Sequence, residues 1–256
     1  MSGKIKSKGI LIRKQPYSES SLLLHVFSDM HGNATYLAKG LRRGKEHRDF
    51  LINPLNEYEF ITSEATSSGI HIVTDFYLLS EYPTDLAYET WCIAQAGLEL
   101  LTKIMIPIEE APVFCNSIRL YLNHLLQINK NPIAIFWRFL LHIYKLLGIE
   151  MVLDQCSLCN RKIRFIRGYD AIQGNVLCTE CLVNDPVGIG FDPAASELIS
   201  KLPIIGNYLN DLEIPAEVRS QLNLFFLNYL SRQFHKDIYL KSLSALETGQ
   251  KTTFYN

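Results

Sequence analysis

Five short runs in the first eighty residues concentrate or alternate apolar and β-branched side chains in the manner of β-strands. These runs are 9–14, 21–27, 35–38, 56–62 and 70–79. Gly32 and Asn33 tolerate positive φ and indicate a tight turn between the second and third runs. Five short strands in succession predict a small barrel, because a closed sheet leaves no strand edge exposed.

The hydrophobic period changes to that of helices after Pro83. Capping residues and prolines predict helices from Thr84 or Asp85, from near Pro112, and from Asn131, Asp192 and Pro215. An amphipathic stretch from about His235 predicts a last helix. We expect the first three helices to end near 105, 128 and Gly148, and the last two near 234 and 246. The third helix is apolar nearly all round, which predicts a position in the middle of a bundle.

Residues 154–183 interrupt this helical pattern. The sequence therefore predicts an α+β protein with a barrel domain at 1–80 and a mostly helical domain at 81–256. The helical domain would carry an insert at about 154–183. The segment 162–166 and the later Gly174-Asn175 favour a short hairpin within this insert.

Four of the six cysteines form two C-x2-C pairs inside the insert, Cys156 with Cys159 and Cys178 with Cys181, eighteen residues apart. Two pairs at this spacing can fill the four corners of a tetrahedral zinc site. A redox-active pair is the alternative, but such pairs typically lie where a strand meets a helix in a thioredoxin-like unit. Because four thiolates leave no open coordination position, we expect one structural zinc ion without a catalytic role.

The overall composition narrows the class of protein. The 256 residues are 48% hydrophobic and 20% charged with a formal net charge of -1, which excludes a disordered tail and a uniformly basic protein. The pattern contains neither a transmembrane run nor a signal peptide. We therefore expect a cytoplasmic protein with no membrane partner, and a reducing compartment favours metal binding over disulfides.

The neutral total conceals a basic segment at 39–48, in which five residues are basic and one is acidic. Its position between two strands of a small barrel favours binding to single-stranded nucleic acid. The candidate DNA-binding residues are Lys6, Lys8, Arg13, Lys14, Lys39, Arg42, Arg43, Lys45, Arg48, Arg161, Lys162 and Arg164. The alternative is that these charges only solvate the surface. The aromatic residues that could stack on bases, or could instead fill the core, are Tyr36, Phe50, Tyr58 and Phe60.

Several enzyme motifs are absent from the sequence. It contains no GxxxxGK[ST] phosphate loop, no GxGxxG fingerprint, no HExxH and no GxSxG. The seven histidines are scattered without a nucleophile at a matching spacing, and a nuclease would need a carboxylate cluster that is not evident. We therefore expect that the protein is not an enzyme.

Three stretches, taken together, resemble one known family. The first is GILIRKQPYSESSLLLHVFSDMHGNATYLAKGLRRGK, from Gly9. The second is the helix end Leu146-Leu147-Gly148 followed by Asp154-Gln-Cys156-Ser-Leu-Cys159, and the third is Gly174-Asn-Val-Leu-Cys178-Thr-Glu-Cys181. Their order and spacing are similar to those of the RecO family of bacterial DNA repair proteins, which are recombination mediators. Ser21, Met151 and Gln173 depart from residues common in the family, and we expect none of the three changes to alter the fold.

The resemblance implies an oligonucleotide-binding (OB) barrel, a helical domain and a zinc ribbon. It also implies binding of single- and double-stranded DNA, annealing of complementary strands, and assistance in loading RecA onto strands coated by single-stranded DNA-binding protein (SSB). RecR would be the main partner, and the protein would lie near the bacterial nucleoid. The acidic SSB tail needs a basic receptor, for which Arg138 and His142 are candidates. The alternative function is a protein-interaction scaffold built on the barrel and the zinc.

Overall fold

The computed structural model describes residues 4–42, 48–63 and 69–248, without the side chains of Arg48 and Asp49. The chain forms two compact units, one from the described parts of 1–123 and 242–256 and the other from 124–241. The first unit takes in residues 81–123 together with the barrel. The division of the chain into domains at residue 80 stays a prediction. Among the described helices, none combines the length and the apolar character needed to cross a lipid bilayer.

Five strands close into the barrel that the sequence predicts. They are β1 Ile5–Pro16, β2 Leu22–Ser28, β3 Gly32–Ala38, β4 Glu57–Thr62 and β5 Ile70–Ser80. The order around the barrel is β1-β2-β3-β5-β4, with β3 and β5 parallel and the other neighbours antiparallel. A five-stranded closed barrel of this kind is OB-like.

Inward-facing aromatic side chains fill the barrel. Along β4, buried Tyr58 and Phe60 alternate with partly exposed neighbours, as the period of a strand requires. The Tyr36 ring packs edge-on against Phe60 with centroids 4.9 Å apart. At Gly9 of β1, an added Cβ would lie 2.5 Å from Cγ1 of Val26, so the close approach of β1 to β2 requires glycine.

Seven α-helices lie in the described ranges. They are α1 Tyr88–Lys103, α2 Ala111–Leu126, α3 Pro132–Leu146, α4 Thr179–Asn184, α5 Pro193–Lys201, α6 Ala216–Gln233 and α7 Lys241–Thr248. Short 3-10 turns occupy Arg48–Leu51, Ile108–Glu110 and Leu202–Asn207. The predicted change from strands to helices near residue 83 is thus confirmed.

Two predicted helix starts are wrong. α1 follows Ala87 and no side chain caps it, so neither Thr84 nor Asp85 is its cap. The last helix begins at Lys241 and not near His235, whose positive φ of 48° belongs to the turn that ends α6. At the first site, Thr84 and Asp85 are polar loop residues that resemble caps. At the second, the apolar positions of the amphipathic pattern begin before the helix, since Ile238 and Leu240 are buried ahead of Lys241.

Asn131 precedes α3 as predicted, but its side chain does not cap the helix. It adopts the left-handed conformation, and its amide donates hydrogen bonds to the backbone carbonyls of Leu209 and Leu212 at 2.8 and 2.9 Å. Asn131 therefore anchors a distant turn. The predicted cap at Asp192 is confirmed, because its carboxylate accepts the N–H of Ala194 at 2.8 Å.

The second unit is built around α3, which the sequence predicts to be central. Trp137 and Tyr144 are fully buried on this helix. The indole of Trp137 donates to the side chain of Asn223 at 2.8 Å, and the Tyr144 hydroxyl donates to the carbonyl of Phe226 at 2.7 Å. Both polar groups are satisfied by α6, so the face of α3 that carries Trp137 and Tyr144 is buried without an unpaired donor at these sites.

A small three-stranded sheet forms in the insert and in the residues directly after it. Its strands are β6 Gly168–Asp170, β7 Val176–Leu177 and β8 Gly188–Gly190, in the order β7-β6-β8. The predicted hairpin is β6–β7, whereas 162–166 contributes one isolated bridge and no strand. Asp170 closes the hairpin by accepting the N–H groups of Ile172, Gln173 and Asn175. Because β8 joins this sheet, the folded insert continues past residue 183, and we call residues 154–190 the ribbon.

Candidate metal centre and nucleic-acid surface

Two tight backbone segments bring the four predicted cysteines together. In the first, the N–H of Asn160 donates to the carbonyl of Cys156 at 2.9 Å, and Asn160 takes a left-handed φ of 59° that curls the chain after Cys159. In the second, Cys178 immediately precedes α4 and Cys181 lies in its first turn. Each pair is therefore held by a short element of defined geometry.

The spacing of the sulfurs fits a tetrahedral ion. All four Sγ atoms lie within 4.8 Å of one another, and the sulfurs of Cys159 and Cys178 are 3.8 Å apart. Four thiolates bound at about 2.3 Å to one zinc ion would lie about 3.8 Å from each other. Within the described ranges, the cysteine cluster is the one group of three or more such side chains that could hold a metal ion.

Hydrogen bonds make the cluster electrostatically uneven. The backbone N–H of Arg161, together with its guanidinium, lowers the pKa of the Cys159 thiol to about 6. The pKa of Cys181 is raised to about 12, chiefly by its hydrogen bond with Cys178. Negative charge is thus favoured at one sulfur and opposed at another. A cation among the four sulfurs would remove this opposition, because bound thiols are deprotonated.

Arg161 supports this cluster from outside. Its Nε donates to Sγ of Cys159 at 3.4 Å, and its guanidinium forms an ion pair with Glu180 of α4. The side chain of Arg161 is therefore bonded to two residues of the ribbon itself. The role of Arg161 in DNA binding stays a prediction.

Three further cations of the ribbon are exposed. Lys162, Arg164 and Arg167, here called the ribbon cations, have no carboxylate within 4.0 Å in the part of the chain that the structure describes. Arg167 is not in the set of candidates taken from the sequence. The sequence does contain a signal for Arg167, which is the third cation of the run KIRFIR. It does not tell which of these three side chains is exposed.

Three of the predicted barrel residues gather at one end of the barrel. Lys14 lies near the end of β1, and Lys39 follows the end of β3. Both strand ends pair with the start of β2, so the two residues lie at the same end of the barrel. Arg42 is fixed to the β1–β2 loop, where its N–H donates to the carbonyl of Ser20 and its guanidinium to that of Ser18. We call Lys14, Lys39 and Arg42 the barrel-end cations.

The other predicted barrel cations are distributed differently. Lys6 lies at the opposite end of β1 and pairs with Glu59 at 3.4 Å. Lys8 and Arg13 are exposed along β1, Arg13 opposite His25 of β2. Arg43 and Lys45 lie outside the described residues, and the side chain of Arg48 is not described.

Most of the candidate stacking aromatics belong to the core. Tyr36, Tyr58 and Phe60 are fully buried, and so are unable to stack on a base. Phe50 is different, with 66% of its surface exposed. Its carbonyl accepts from Asn53, whose side chain also accepts from Lys14 at 3.4 Å, so one side chain links the backbone of Phe50 to a barrel-end cation.

The two candidates for a partner site, Arg138 and His142, are both exposed and lie one turn apart on α3. Gly206 makes room for the guanidinium, since an added Cβ there would lie 3.3 Å from Nη1 of Arg138. Partial burial and the nearby Lys145 lower the pKa of His142 below 6.5. At neutral pH the positive charge of this pair therefore resides on Arg138.

Comparison with known proteins identifies the family. Residues 1–82 match the family model for the N-terminal part of recombination protein O, and residues 86–244 match the model for its C-terminal part. The DNA repair protein RecO of Syntrophomonas wolfei is 25% identical over 199 residues, which cover 77% of this chain and 78% of that protein. The RecO proteins of Caldicellulosiruptor bescii and Acetivibrio thermocellus are 24% and 21% identical, over 91% and 95% of this chain and 95% and 98% of their own lengths. With both family models matched in order along one chain, the chain belongs to the RecO family of DNA repair proteins.

Proposed function

We propose that this chain is a recombination mediator, which binds single- and double-stranded DNA and anneals complementary strands. With RecR, it would help to load RecA onto single strands coated by SSB. Membership of the RecO family carries this proposal. The closed OB-like barrel and its exposed cations support it, because barrels of this type bind single strands through a basic surface.

Annealing requires no bond chemistry, and we propose that the protein is not an enzyme. Two complementary strands repel each other through their phosphates, so a protein that neutralises phosphates lets them approach. The barrel-end cations and the ribbon cations are suited to this task. The predicted residues Lys6, Lys8, Arg13, Arg43, Lys45, Arg48 and Arg161 would add to the same charge.

The metal in this proposal is one structural zinc ion bound by Cys156, Cys159, Cys178 and Cys181. Zinc would neutralise the thiolates and hold the two cysteine turns together, and with four protein ligands it has no position for a reacting water. The test is the metal content of reduced, carefully prepared protein. About one zinc ion should be released per chain on denaturation, and finding none would contradict the assignment.

The proposed partners are protein as well as DNA. Arg138, beside His142 on α3, would bind the acidic C-terminal tail of SSB, because its guanidinium is exposed and charged. RecR would bind the chain directly and RecA would be affected indirectly. These partners belong to the bacterial cytoplasm at the nucleoid, which we propose as the location.

Salt dependence separates this function from that of a protein-interaction scaffold. If several cations bind phosphates, the logarithm of DNA affinity should fall linearly with the logarithm of salt concentration, by about 0.9 per phosphate on duplex DNA. A scaffold whose basic residues are only solvated would bind DNA weakly and with little response to salt. Fluorescence anisotropy of labelled single-stranded and duplex DNA measures the affinity at each salt concentration and so distinguishes the two functions. A flat response would contradict the proposed function.

A further inference from the structure

An exposed aromatic ring lies among the ribbon cations. Phe165 is 53% exposed, although the next residue, Ile166, is buried and Ile163 is partly buried. The chain bends at Arg164 and Phe165, which turns both side chains outwards. An exposed phenylalanine on its own is unremarkable. Its immediate surroundings give this one a specific chemistry.

The backbone on both sides of the ring is fixed. The N–H of Ile163 donates to the carbonyl of Asp154 at 2.9 Å, and the N–H of Ile166 donates to the hydroxyl of Ser200 at 3.0 Å. Ile166 itself is 1% exposed. Phe165 is therefore presented by an ordered segment, so that a ligand stacking on the ring would not have to order the backbone first.

Positive charge flanks the ring along the chain. Arg164 precedes Phe165 directly and Arg167 follows by two positions, so their Cα atoms lie within about 4 and 7 Å of that of Phe165. Neither arginine has a carboxylate partner within 4.0 Å in the described ranges. An exposed ring that is flanked along the chain by two exposed arginines is complementary to a flat base that carries a phosphate on each side.

We propose that Phe165 is a stacking platform for a base of single-stranded DNA, and that Arg164 and Arg167 hold the adjoining phosphates. This inference rests on the proposed DNA-binding function and adds the form of DNA that the ribbon recognises. Bases in a duplex are stacked on each other and their faces are covered. The ring can therefore contribute to binding of single strands, whereas the two arginines contribute to both forms.

The test compares three probes on the full chain: a labelled oligothymidylate of about 16 nucleotides, an abasic strand of the same length, and a duplex. Phe165→Ala should weaken binding to the oligothymidylate at least about fivefold, because stacking of one base contributes at least about that factor. Binding to the abasic strand and the duplex should change less than about twofold, since the arginines still bind the phosphates. Val183→Ala removes another exposed apolar side chain of the ribbon, 79% exposed, and should leave all three affinities unchanged.

A Phe165→Trp variant gives a second readout that does not depend on loss of binding. Its added fluorescence should be quenched by the oligothymidylate more strongly than by the abasic strand, because the abasic strand has no base that can stack on the ring. If Phe165→Ala weakens all three probes equally, or none of them, the stacking proposal is wrong. If the unsubstituted chain fails to bind any probe with the expected salt dependence, the proposed function itself fails. The two failures are thus distinguishable.

Discussion

The Nε of Arg161 donates to the sulfur of Cys159 across 3.4 Å, while the same guanidinium pairs with the carboxylate of Glu180. Arg161 follows the first cysteine pair, and Glu180 lies between Cys178 and Cys181 of the second pair. One side chain therefore joins the two halves of the cluster. A hydrogen bond of this kind both orients a metal-binding sulfur and stabilises its negative charge.

Arg161→Ala should weaken metal binding. Loss of a hydrogen bond to a metal-binding group typically lowers metal affinity by about 10- to 100-fold. Competition against a chromophoric zinc chelator measures the change on the folded chain. Arg164→Ala removes an equal charge from the same segment without a described bond to sulfur, and should retain metal like the unsubstituted protein. Equal retention by both variants would contradict the role of Arg161.

Neutralising the basic segment of the barrel should weaken DNA binding without unfolding the chain. We expect the triple change of Arg42, Arg43 and Lys45 to Gln to make the salt dependence on duplex DNA shallower, by about 0.9 for each phosphate that the variant no longer neutralises. The measurement is DNA affinity over a series of salt concentrations, with circular dichroism as the test of folding.

The matched control for this triple change removes the same net charge elsewhere. Lys103, Lys130 and Lys236 lie outside the candidate DNA-binding set, and changing all three to Gln should leave the salt dependence nearly unaltered. If both triple variants lose affinity equally, the effect comes from net charge, and our placement of the DNA-binding surface is wrong.

Two stacked histidines should make the first unit sensitive to acid. The rings of His31 and His71 lie 4.1 Å apart at an angle of 26°. Burial, with the nearby His71, lowers the pKa of His31 below 6.5, and burial lowers the pKa of His71. The unfolded chain therefore binds protons more readily. The free energy of unfolding should be greatest above pH 6.5 and should fall as the pH drops below that value.

Replacing both His31 and His71 with Gln should reduce this acid sensitivity. Urea denaturation at several pH values between about 7 and 5 measures it as the slope of unfolding free energy against pH. His124 is exposed on α2 and supplies the control. The variant His124→Gln should retain the slope of the unsubstituted protein. An undiminished slope in the double variant would assign the acid sensitivity to other groups.

Gly97 of α1 should not tolerate alanine, although alanine favours helices. An added Cβ would lie 2.3 Å from the ring of Tyr121, which is held in place by its hydroxyl's bond to the carbonyl of Ile93. Overpacking costs about 1–3 kcal/mol, against a gain of about 1 kcal/mol in helix propensity. We expect Gly97→Ala to lower the urea midpoint, whereas Thr102→Ala at an exposed position of the same helix should not.

Features set by nearby residues in the sequence were predictable. The barrel strands follow from the alternation of apolar positions, and the metal cluster follows from the spacing of Cys156, Cys159, Cys178 and Cys181 because each pair is closed by a local turn. The same reasoning placed α3 at the centre of its unit, since that helix is apolar on nearly every side.

Features that depend on distant residues were not predictable. Asn131 looks like a helix cap, but its amide is engaged by carbonyls about eighty positions away. The sequence cannot rank Phe50 above Tyr36 as a stacking residue, because that choice depends on which ring the barrel encloses. The bond from Arg161 to Glu180 likewise arises only when the two cysteine turns come together.

Annealing of complementary DNA strands coated by SSB is the sharpest test of the proposed function. We expect that addition of this protein greatly accelerates duplex formation from coated strands, and that neutralising Arg42, Arg43 and Lys45 reduces the effect. Duplex formation is followed by fluorescence energy transfer between labels on the two strands. If the coated strands anneal at the same rate with and without the protein, the proposal that this chain is a strand-annealing mediator is wrong.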